Sequence, residues 1–340
     1  MSSNSSEADI ILNLSLISAQ INRYLTIAIL LFGTIGNILN CLVLSQKSLR
    51  SNPCSWFFLA SSISSLITLI SGVAVRLLAG WSTDLTNTVP WLCKLRIFVL
   101  FVSRTTASWL IMLATVDRWF SSSIDANRRH LSKLKNAQLG ALLVVILSSL
   151  AYTQVFYCYE ANLTNTPLQC YGRTIWCRLL IDFTFATIGV LIPSIIMLSF
   201  GMMTILNIRA VAKRRIQPMS ISIETQDTTN RQQSCWKKSD QHLIVMLLVQ
   251  VVLLTLFSLP QVIQNIYANS TMYVVRSQLQ IAINNFIFNL FLLLTYVTNG
   301  MPFYIYTLAG GSIFRKALYK ALKQLAQKMF YRKDQKNTSS

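Results

Sequence analysis

Charged residues are scarce in this sequence of 340 residues. They make up only 12% of the chain, whereas hydrophobic residues make up 53%, and a soluble domain usually has about a quarter of its residues charged. A chain with so few charges cannot cover its surface for contact with water, so much of that surface must face lipid. The shortage of charge therefore excludes an ordinary soluble domain.

Histidine is nearly absent as well, and the cysteines follow no metal-binding pattern. His130 and His242 are the only histidines, and no Cys-x-x-Cys pair occurs among the seven cysteines. Catalysis within a membrane needs paired carboxylates, a histidine beside a nucleophile, or metal ligands. Both histidines lie near the inner ends of predicted helices, and Asp182 is the only carboxylate near the outer half of an apolar segment. We therefore predict that the chain is not an enzyme and holds neither a metal nor a cofactor.

Acidic residues are few, with 11 against 30 lysines and arginines, which gives a formal net charge of +19. A basic soluble protein of this kind would suggest nucleic acid as a partner. Here the basic residues lie between and after the apolar segments, as they do in the cytoplasmic loops of membrane proteins. We predict membrane lipids, and no nucleic acid, as the partners of these charges.

Long apolar runs are what the sequence does contain. A helix that crosses a bilayer needs roughly 20 apolar residues, because about 30 Å of hydrocarbon is crossed at about 1.5 Å per residue. The runs are Tyr24–Gln46, Ser51–Val75, Trp91–Val116, Asn136–Tyr159, Phe183–Ile208, Gln241–Tyr267 and Ser277–Leu308. We predict an all-α membrane protein, a seven-transmembrane helix bundle with a short amphipathic eighth helix.

The predicted domain organisation has four parts. Residues 1–20 are expected to form an extracellular N-terminal tail, 21–312 the bundle, 313–330 the amphipathic membrane-surface helix, and 331–340 a cytoplasmic tail. In the third part, apolar residues recur at helical spacing opposite Lys316, Lys320 and Lys323. Such a helix lies on the inner leaflet, with its lysines near anionic headgroups.

The charge distribution also predicts the orientation in the membrane. If the N-terminus is outside, 22 of the 30 lysines and arginines fall on the inner side, as the positive-inside rule requires. Glycosylation sequons give a second, independent indication, and four of them fall on predicted outer segments, at Asn4, Asn13, Asn162 and Asn269. We predict a multi-pass glycoprotein of the plasma membrane with an extracellular N-terminus.

Several short motifs occur in a particular order along the chain. They are Gly36-Asn37 in the first run, Trp91-Leu92-Cys93 and Asp117-Arg118-Trp119 at the ends of the third, Pro193, Pro260, and Pro302 to Tyr306 followed by Phe314-Arg315. In order and spacing they resemble the motifs of rhodopsin-like (class A) G-protein-coupled receptors over about residues 21–330. Ser258 stands where that family usually has tryptophan, and Leu59–Ile63 lacks its carboxylate. The chain therefore resembles a divergent, invertebrate-type branch near the peptide receptors.

The resemblance implies a switch at the inner end of the third helix. In the family, the arginine that Arg118 matches is held at rest and meets a heterotrimeric G protein when the sixth helix swings out at a proline, here Pro260. Asp117 and Asp240 are the carboxylates expected to hold it, and Tyr306 matches the family's tyrosine. A partly desolvated Arg–carboxylate pair biases two states by roughly a few kcal/mol. The alternative is an ordinary ion pair at the level of the lipid headgroups.

The resemblance also implies a disulfide between Cys93 and Cys170 that joins the third helix to the second outer loop. Cysteines on an oxidising face are expected to pair, and loop entropy gives such a crosslink roughly 4 kcal/mol. Cys158 and Cys177 flank the same loop, and they either form a second bridge or compete for Cys93.

Arg104 is the most unusual residue of the third run. It precedes Arg118 by 14 residues, about 40° short of four helical turns, so both side chains face the bundle interior about 21 Å apart. An arginine within a membrane costs roughly 2.5–3.5 kcal/mol and marks a functional site. We expect Arg104, Arg96 and Asp182 to contact a ligand that has an anionic or carbonyl-rich group. The alternative is an internal pair of Arg104 with Asp182 or with asparagines of the seventh helix.

Leu100 narrows the class of ligand. It stands at the third-helix position where the amine receptors of the resembled family have an aspartate, which argues against a monoamine. We therefore predict a receptor that binds an extracellular ligand, expected to be a peptide, near Leu100 and activates a heterotrimeric G protein. A channel or transporter for an anionic solute, with Arg104 as the anion site, is the alternative, although no internal repeat indicates duplicated halves.

Overall fold

The computed structural model describes residues 2–79, 85–123, 125–163, 166, 168–216, 227–271, 274, 277–309, 314–324 and 327; for 2–6, 48, 78, 79, 85, 210–216, 227–245 and 309 it describes only the backbone. Seven helices in this part of the chain are long and apolar enough to cross a membrane. These spans are Glu7–Leu44, Pro53–Leu77, Pro90–Ser122, Leu134–Cys158, Ile175–Arg209, Met246–Ser270 and Gln278–Gly300. The predicted all-α, multi-pass architecture agrees with this arrangement.

The first helix, α1, is much longer than its apolar run. It extends over Ser2–Leu44, about 65 Å at 1.5 Å per residue, which is about twice the hydrocarbon thickness of a bilayer. The segment 1–20, predicted to be a tail, is therefore helical from Ser2 onward. No glycine or proline occurs before Gly33, so nothing in the local sequence ends the helix where the apolar run ends.

The second and third spans follow through short helices. The order is α2 Lys47–Arg50, α3 Pro53–Thr68, a π-helical segment π1 Leu69–Ala74, α4 Val75–Ala79, α5 Leu85–Thr88 and α6 Pro90–Ser122. Asn52 caps α3 by accepting a hydrogen bond from the Cys54 backbone N–H, and Pro53 occupies the first turn, where its missing N–H has no cost.

The fourth and fifth spans flank a small hairpin. The elements are α7 Ala126–Arg129, α8 Leu134–Ala151, α9 Val155–Cys158, β1 Tyr159–Glu160, β2 Tyr171–Gly172, α10 Ile175–Thr184, a second π-helical segment π2 Phe185–Leu191 and α11 Ile192–Ile216. β1 and β2 pair antiparallel, with Glu160 opposite Tyr171.

The last two spans lie in α12 Asp227–Ser270, with Pro260 inside it, and α13 Gln278–Gly300, and the short helix α14 Pro302–Ala309 follows. A capping box formed by Ser277 and Gln280 begins α13. The seventh apolar run, predicted as one segment, is divided between Gly300 and Pro302. Glycine and proline both disfavour a helix interior, which explains the break.

The third span, α6, lies at the centre of the bundle. Within its most apolar window 67% of the residues are buried, against 22–50% in the other spans. At the periphery of the bundle, α1 and α13 meet each other through small residues, since a Cβ added at Gly300 would lie 3.1 Å from the Cα of Gly33. Beside this contact Asn37 donates to the carbonyl of Asn299 at 2.8 Å. Small residues with a polar bridge are typical of helix packing in membranes.

The segment after α14 is described in part. Residues 314–324 are helical, and Gln46 donates to the carbonyl of Ala317 at 2.8 Å. Residue 313 and most of 325–340 lie outside the described residues. The membrane-surface helix 313–330 and the cytoplasmic tail 331–340 therefore stay predictions.

Candidate functional site

Two disulfides lie at one end of the bundle, which we call the disulfide end. Cys93 of α6 is bonded to Cys170, with their Cα atoms 5.8 Å apart, and Cys158 is bonded to Cys177. The first pairing is the one that the family resemblance implies. The open question about the other two cysteines is answered, because they form a second bridge rather than compete for Cys93. The opposite end of the bundle, around Arg118, we call the Arg118 end.

The disulfide-end cavity lies beneath these bridges and has about 710 Å³ of empty space. The structure brings all four residues of the expected ligand site together in its wall: Arg96, Leu100, Arg104 and Asp182. Six aromatic residues also line the cavity and were not expected there from the sequence: Phe101, Tyr159, Tyr171, Phe185, Phe288 and Tyr296. Aromatic residues are frequent throughout the spans, so composition alone gave no signal for these six.

Arg104 is 8% exposed and contacts aromatic rings instead of an acid. Its guanidinium carbon lies 4.3 Å from the ring centre of Phe185 and 5.9 Å from that of Tyr296. Its Nη2 atom is buried without a hydrogen-bond partner. Neither alternative pairing of Arg104, with Asp182 or with seventh-helix asparagines, is formed among the described residues.

Asp182 is hydrogen-bonded to residues of the sixth span and not to Arg104. Its two carboxylate oxygens accept hydrogen bonds from the side-chain amides of Asn265 and Asn269, each at 2.8 Å. Asn269 is 8% exposed. The structure therefore argues against Asn269 as a glycosylation site, because a sugar on its amide nitrogen would need the space and the hydrogen bond that Asp182 now takes.

We expect an Asn269→Gln variant made in a eukaryotic cell to keep the electrophoretic mobility of the wild-type protein before and after glycosidase treatment. Asn13 is exposed, so Asn13→Gln is the matched control and should remove one sugar. A loss of mass in Asn269→Gln equal to that in the control would contradict the buried position of Asn269.

Two other arginines line the cavity nearer its mouth. Arg76 donates to the Asn289 side chain at 3.3 Å, and Arg96 donates to the Thr86 hydroxyl at 2.6 Å. Burial, together with the nearby Asp182 carboxylate, raises the pKa of the Tyr171 hydroxyl above its ordinary value. Tyr171 therefore stays neutral at physiological pH, and the cavity keeps an excess of positive charge.

The two π-helical segments position the residues around Arg104. Phe185, the first residue of π2, covers the guanidinium, and Gly72 of π1 lies against Tyr296. A π segment widens the helix by one residue per turn, which shifts the direction of the side chains beyond it, and such segments often occur at functional sites. Neither segment contains proline, but Pro193 lies two residues beyond π2 and cannot donate to the Gly189 carbonyl, which accepts a hydrogen bond from the Ser108 hydroxyl instead.

We expect Gly72→Ala to destabilise the protein by about 1–3 kcal/mol, the usual range for overpacking a filled interior. An added Cβ would lie 2.5 Å from the Tyr296 ring, so that ring would have to move, and its contact with Arg104 would change. Gly140→Ala is the matched control, since its Cβ would meet nothing closer than 3.5 Å. Thermal unfolding of both variants in lipid nanodiscs tests this, and equal midpoint temperatures would contradict it.

The Arg118 end contains Arg118 and Asp117 of the expected switch. Arg118 donates to the Asn52 side chain at 2.7 Å. Asp117 accepts a hydrogen bond from the Ser132 hydroxyl at 2.6 Å. A smaller cavity of about 240 Å³ lies beside Arg118. Asp240 is on the N-terminal half of α12, and its side chain lies outside the described residues.

The two remaining residues of the expected switch are Tyr306 on α14 and Pro260 on α12. The Tyr306 hydroxyl donates to the Gln250 side chain at 3.2 Å, which joins α14 to α12 in the buried core. Pro260 lies on α12 ten residues beyond Gln250. A middle cavity of about 540 Å³ lies between the two ends, and Arg104 lines it as well as the disulfide-end cavity.

No family model matches this chain, and no curated protein matches it either. Among the described residues, no group of three or more His, Cys, Asp or Glu side chains is placed to hold a metal ion.

Proposed function

We propose that this chain is a rhodopsin-like G-protein-coupled receptor of the plasma membrane, with its N-terminus outside the cell. An extracellular ligand, expected to be a peptide, binds in the disulfide-end cavity at Arg96, Leu100, Arg104 and Asp182. Binding changes the Arg118 end, which then activates a heterotrimeric G protein. The resemblance of the motifs supports this proposal, and so does the position of those motifs in the bundle.

One observation carries the proposal: the same two helices reach both ends of the molecule. Helix α6 bears Arg104 in the disulfide-end cavity and Arg118 at the opposite end. Helix α12 bears Asn265, which is hydrogen-bonded to Asp182, and also Gln250, which is hydrogen-bonded to Tyr306. A ligand that changes the contacts of Asp182 therefore acts on the helix whose other half faces the G-protein side.

Pro260 gives α12 a place to bend. Proline cannot donate the backbone hydrogen bond of a helix interior, and kinks occur at such positions. Pro260 lies between Gln250 and Asn265. In the proposed mechanism the half of α12 before Pro260 swings outward, which separates Gln250 from Tyr306 and opens the cavity beside Arg118. A ligand drives this change only as far as it binds the second state more tightly.

A second candidate function is a channel or transporter for an anionic solute. The observation that favours it is the position of Arg104, which lines both the disulfide-end cavity and the middle cavity. A permeating anion would meet this arginine on its way between the two.

Reconstitution distinguishes the two functions. The full-length chain is placed in lipid vesicles with a heterotrimeric G protein, and nucleotide exchange is measured during a screen of peptide and small-molecule libraries. Anion flux is measured in the same vesicles, with protein-free vesicles as the control. The receptor proposal expects ligand-dependent exchange without flux. Flux that needs no ligand, in the absence of exchange, would replace it with the channel or transporter.

A further inference from the structure

The disulfide-end cavity has more cationic than anionic side chains. Arg76, Arg96 and Arg104 line it, against the single carboxylate of Asp182. That carboxylate already accepts hydrogen bonds through both of its oxygens. Among the described residues, the lining of the cavity therefore has a net positive charge. Its one carboxylate is already hydrogen-bonded to asparagine side chains.

Arg104 differs from the two arginines near the mouth of the cavity. Those two donate to a side-chain amide and a hydroxyl, whereas the Arg104 guanidinium lies against aromatic rings. Its Nη2 atom has no acceptor, although the side chain is more than nine-tenths buried. A buried charged donor without an acceptor is unfavourable. A ligand that supplies the acceptor would remove this deficit.

The geometry around Arg104 indicates which acceptor fits. Phe185 lies over the guanidinium, so the edge of the group remains for hydrogen bonds. A guanidinium edge matches a planar carboxylate with two parallel N–H···O bonds. The neighbouring wall is apolar, with Leu100, Phe101, Phe288 and Leu292. These side chains suit an aliphatic or aromatic body attached to the anionic group.

We propose that the ligand of this cavity carries a carboxylate at the end of an apolar body, and that this carboxylate binds the guanidinium edge of Arg104. The inference rests on the proposed function and specifies the chemistry of its ligand. The same group occurs at the C-terminus of an unamidated peptide and in a small organic acid. In either case the carboxylate enters the cavity first. It reaches Arg104, the deepest of the three arginines.

The test uses acid and amide pairs that differ little in shape. The full-length chain in lipid nanodiscs is titrated with 3-phenylpropionate and 3-phenylpropionamide, and with an acetylated dipeptide ending in phenylalanine as the free acid and as the amide. Binding is followed by the shift in the thermal unfolding midpoint. Charge-assisted hydrogen bonds lead us to expect each acid to bind about 10- to 100-fold more tightly than its amide.

Two arginine variants assign the effect to one side chain. Arg104→Gln should bind the acids as weakly as the wild-type protein binds the amides. Arg173→Gln is the matched control, because Arg173 also lies over a tyrosine ring, 5.2 Å from Tyr157, but is exposed and does not line the cavity. It should keep the acid preference. If Arg104→Gln does not fold, the acid–amide comparison on the wild-type protein decides alone.

Each outcome has a definite meaning. Tighter binding of the dipeptide acid identifies a peptide C-terminus, and tighter binding of the smaller acid identifies an organic acid; both support the proposal. Equal binding of acids and amides, or no binding of any, overturns it, as does an acid preference that survives Arg104→Gln. Acid binding without nucleotide exchange on the G protein would support the carboxylate site and contradict only the proposed receptor function.

Discussion

Replacing Arg118 with alanine should lower nucleotide exchange on the G protein by about 10- to 100-fold, while the amount of protein at the cell surface stays unchanged. Arg118 is the charged donor at the end of α6, where it contacts Asn52 beside a cavity. In the proposed active state this donor contacts the G protein. Loss of a hydrogen bond to a charged group removes about 1.5–3 kcal/mol, which corresponds to the expected decrease in rate.

The control for this variant removes the same side chain at the other side of the membrane. Arg23 is exposed on α1, on the side that we propose to be extracellular, so Arg23→Ala should keep the wild-type rate of exchange. Surface labelling of intact cells verifies that both variants reach the membrane. Wild-type exchange in Arg118→Ala, at equal surface expression, would show that coupling does not pass through this arginine.

The number of spans and the interior position of Arg104 followed from the sequence. Apolar length alone indicates a membrane helix, because the bilayer sets the length that must be covered. The 14-residue spacing to Arg118 placed Arg104 on the inner face of α6, and the side chain is buried there. Both inferences use the regular geometry of an α-helix, its rise per residue in the first case and its rotation per residue in the second. Neighbouring helices do not alter this geometry.

The partners of Arg104 could not be inferred in the same way. Its ring contact with Phe185 depends on the π2 segment, and the π1 segment brings Gly72 against Tyr296. Such segments depend on the packing of several helices, and the position of Pro193 after π2 does not by itself predict which ring will cover Arg104. The suggested pair with Asp182 was wrong for a related reason. The two asparagines that bind Asp182 come from α12, more than 80 residues away in the chain.

The boundaries of the first helix and the sequon at Asn269 show a second limit of prediction from local sequence patterns. An apolar run marks the part of a helix that lipid can surround, but not where its hydrogen bonding ends, and α1 continues to Ser2. A sequon is defined by three consecutive residues and contains no information on tertiary packing. Here that packing buries Asn269 against Asp182. In both cases the local pattern was read correctly, and contacts outside it decided the structure.

Replacing both Cys93 and Cys170 with serine should destabilise the protein more than replacing both Cys158 and Cys177. The first bridge spans 77 residues and the second 19, and the loop-entropy relation gives about 4.5 and about 3 kcal/mol for the two. Both partners are replaced together because a single free thiol could exchange with the other bridge. Cys41→Ser, at a position without a disulfide, is the control for the substitution itself.

The first bridge should also determine whether the cavity binds a ligand. Cys170 lines the cavity and precedes Tyr171 of β2, which also lines it. Without the bond to α6, the hairpin loses its covalent attachment above Arg104, so ordering it on ligand binding would cost additional conformational entropy. We therefore expect the Cys93→Ser, Cys170→Ser variant to lose both unfolding midpoint temperature and acid binding in nanodiscs. A larger loss in the Cys158→Ser, Cys177→Ser variant would mean that the shorter bridge, and not the one to α6, holds the wall of the cavity.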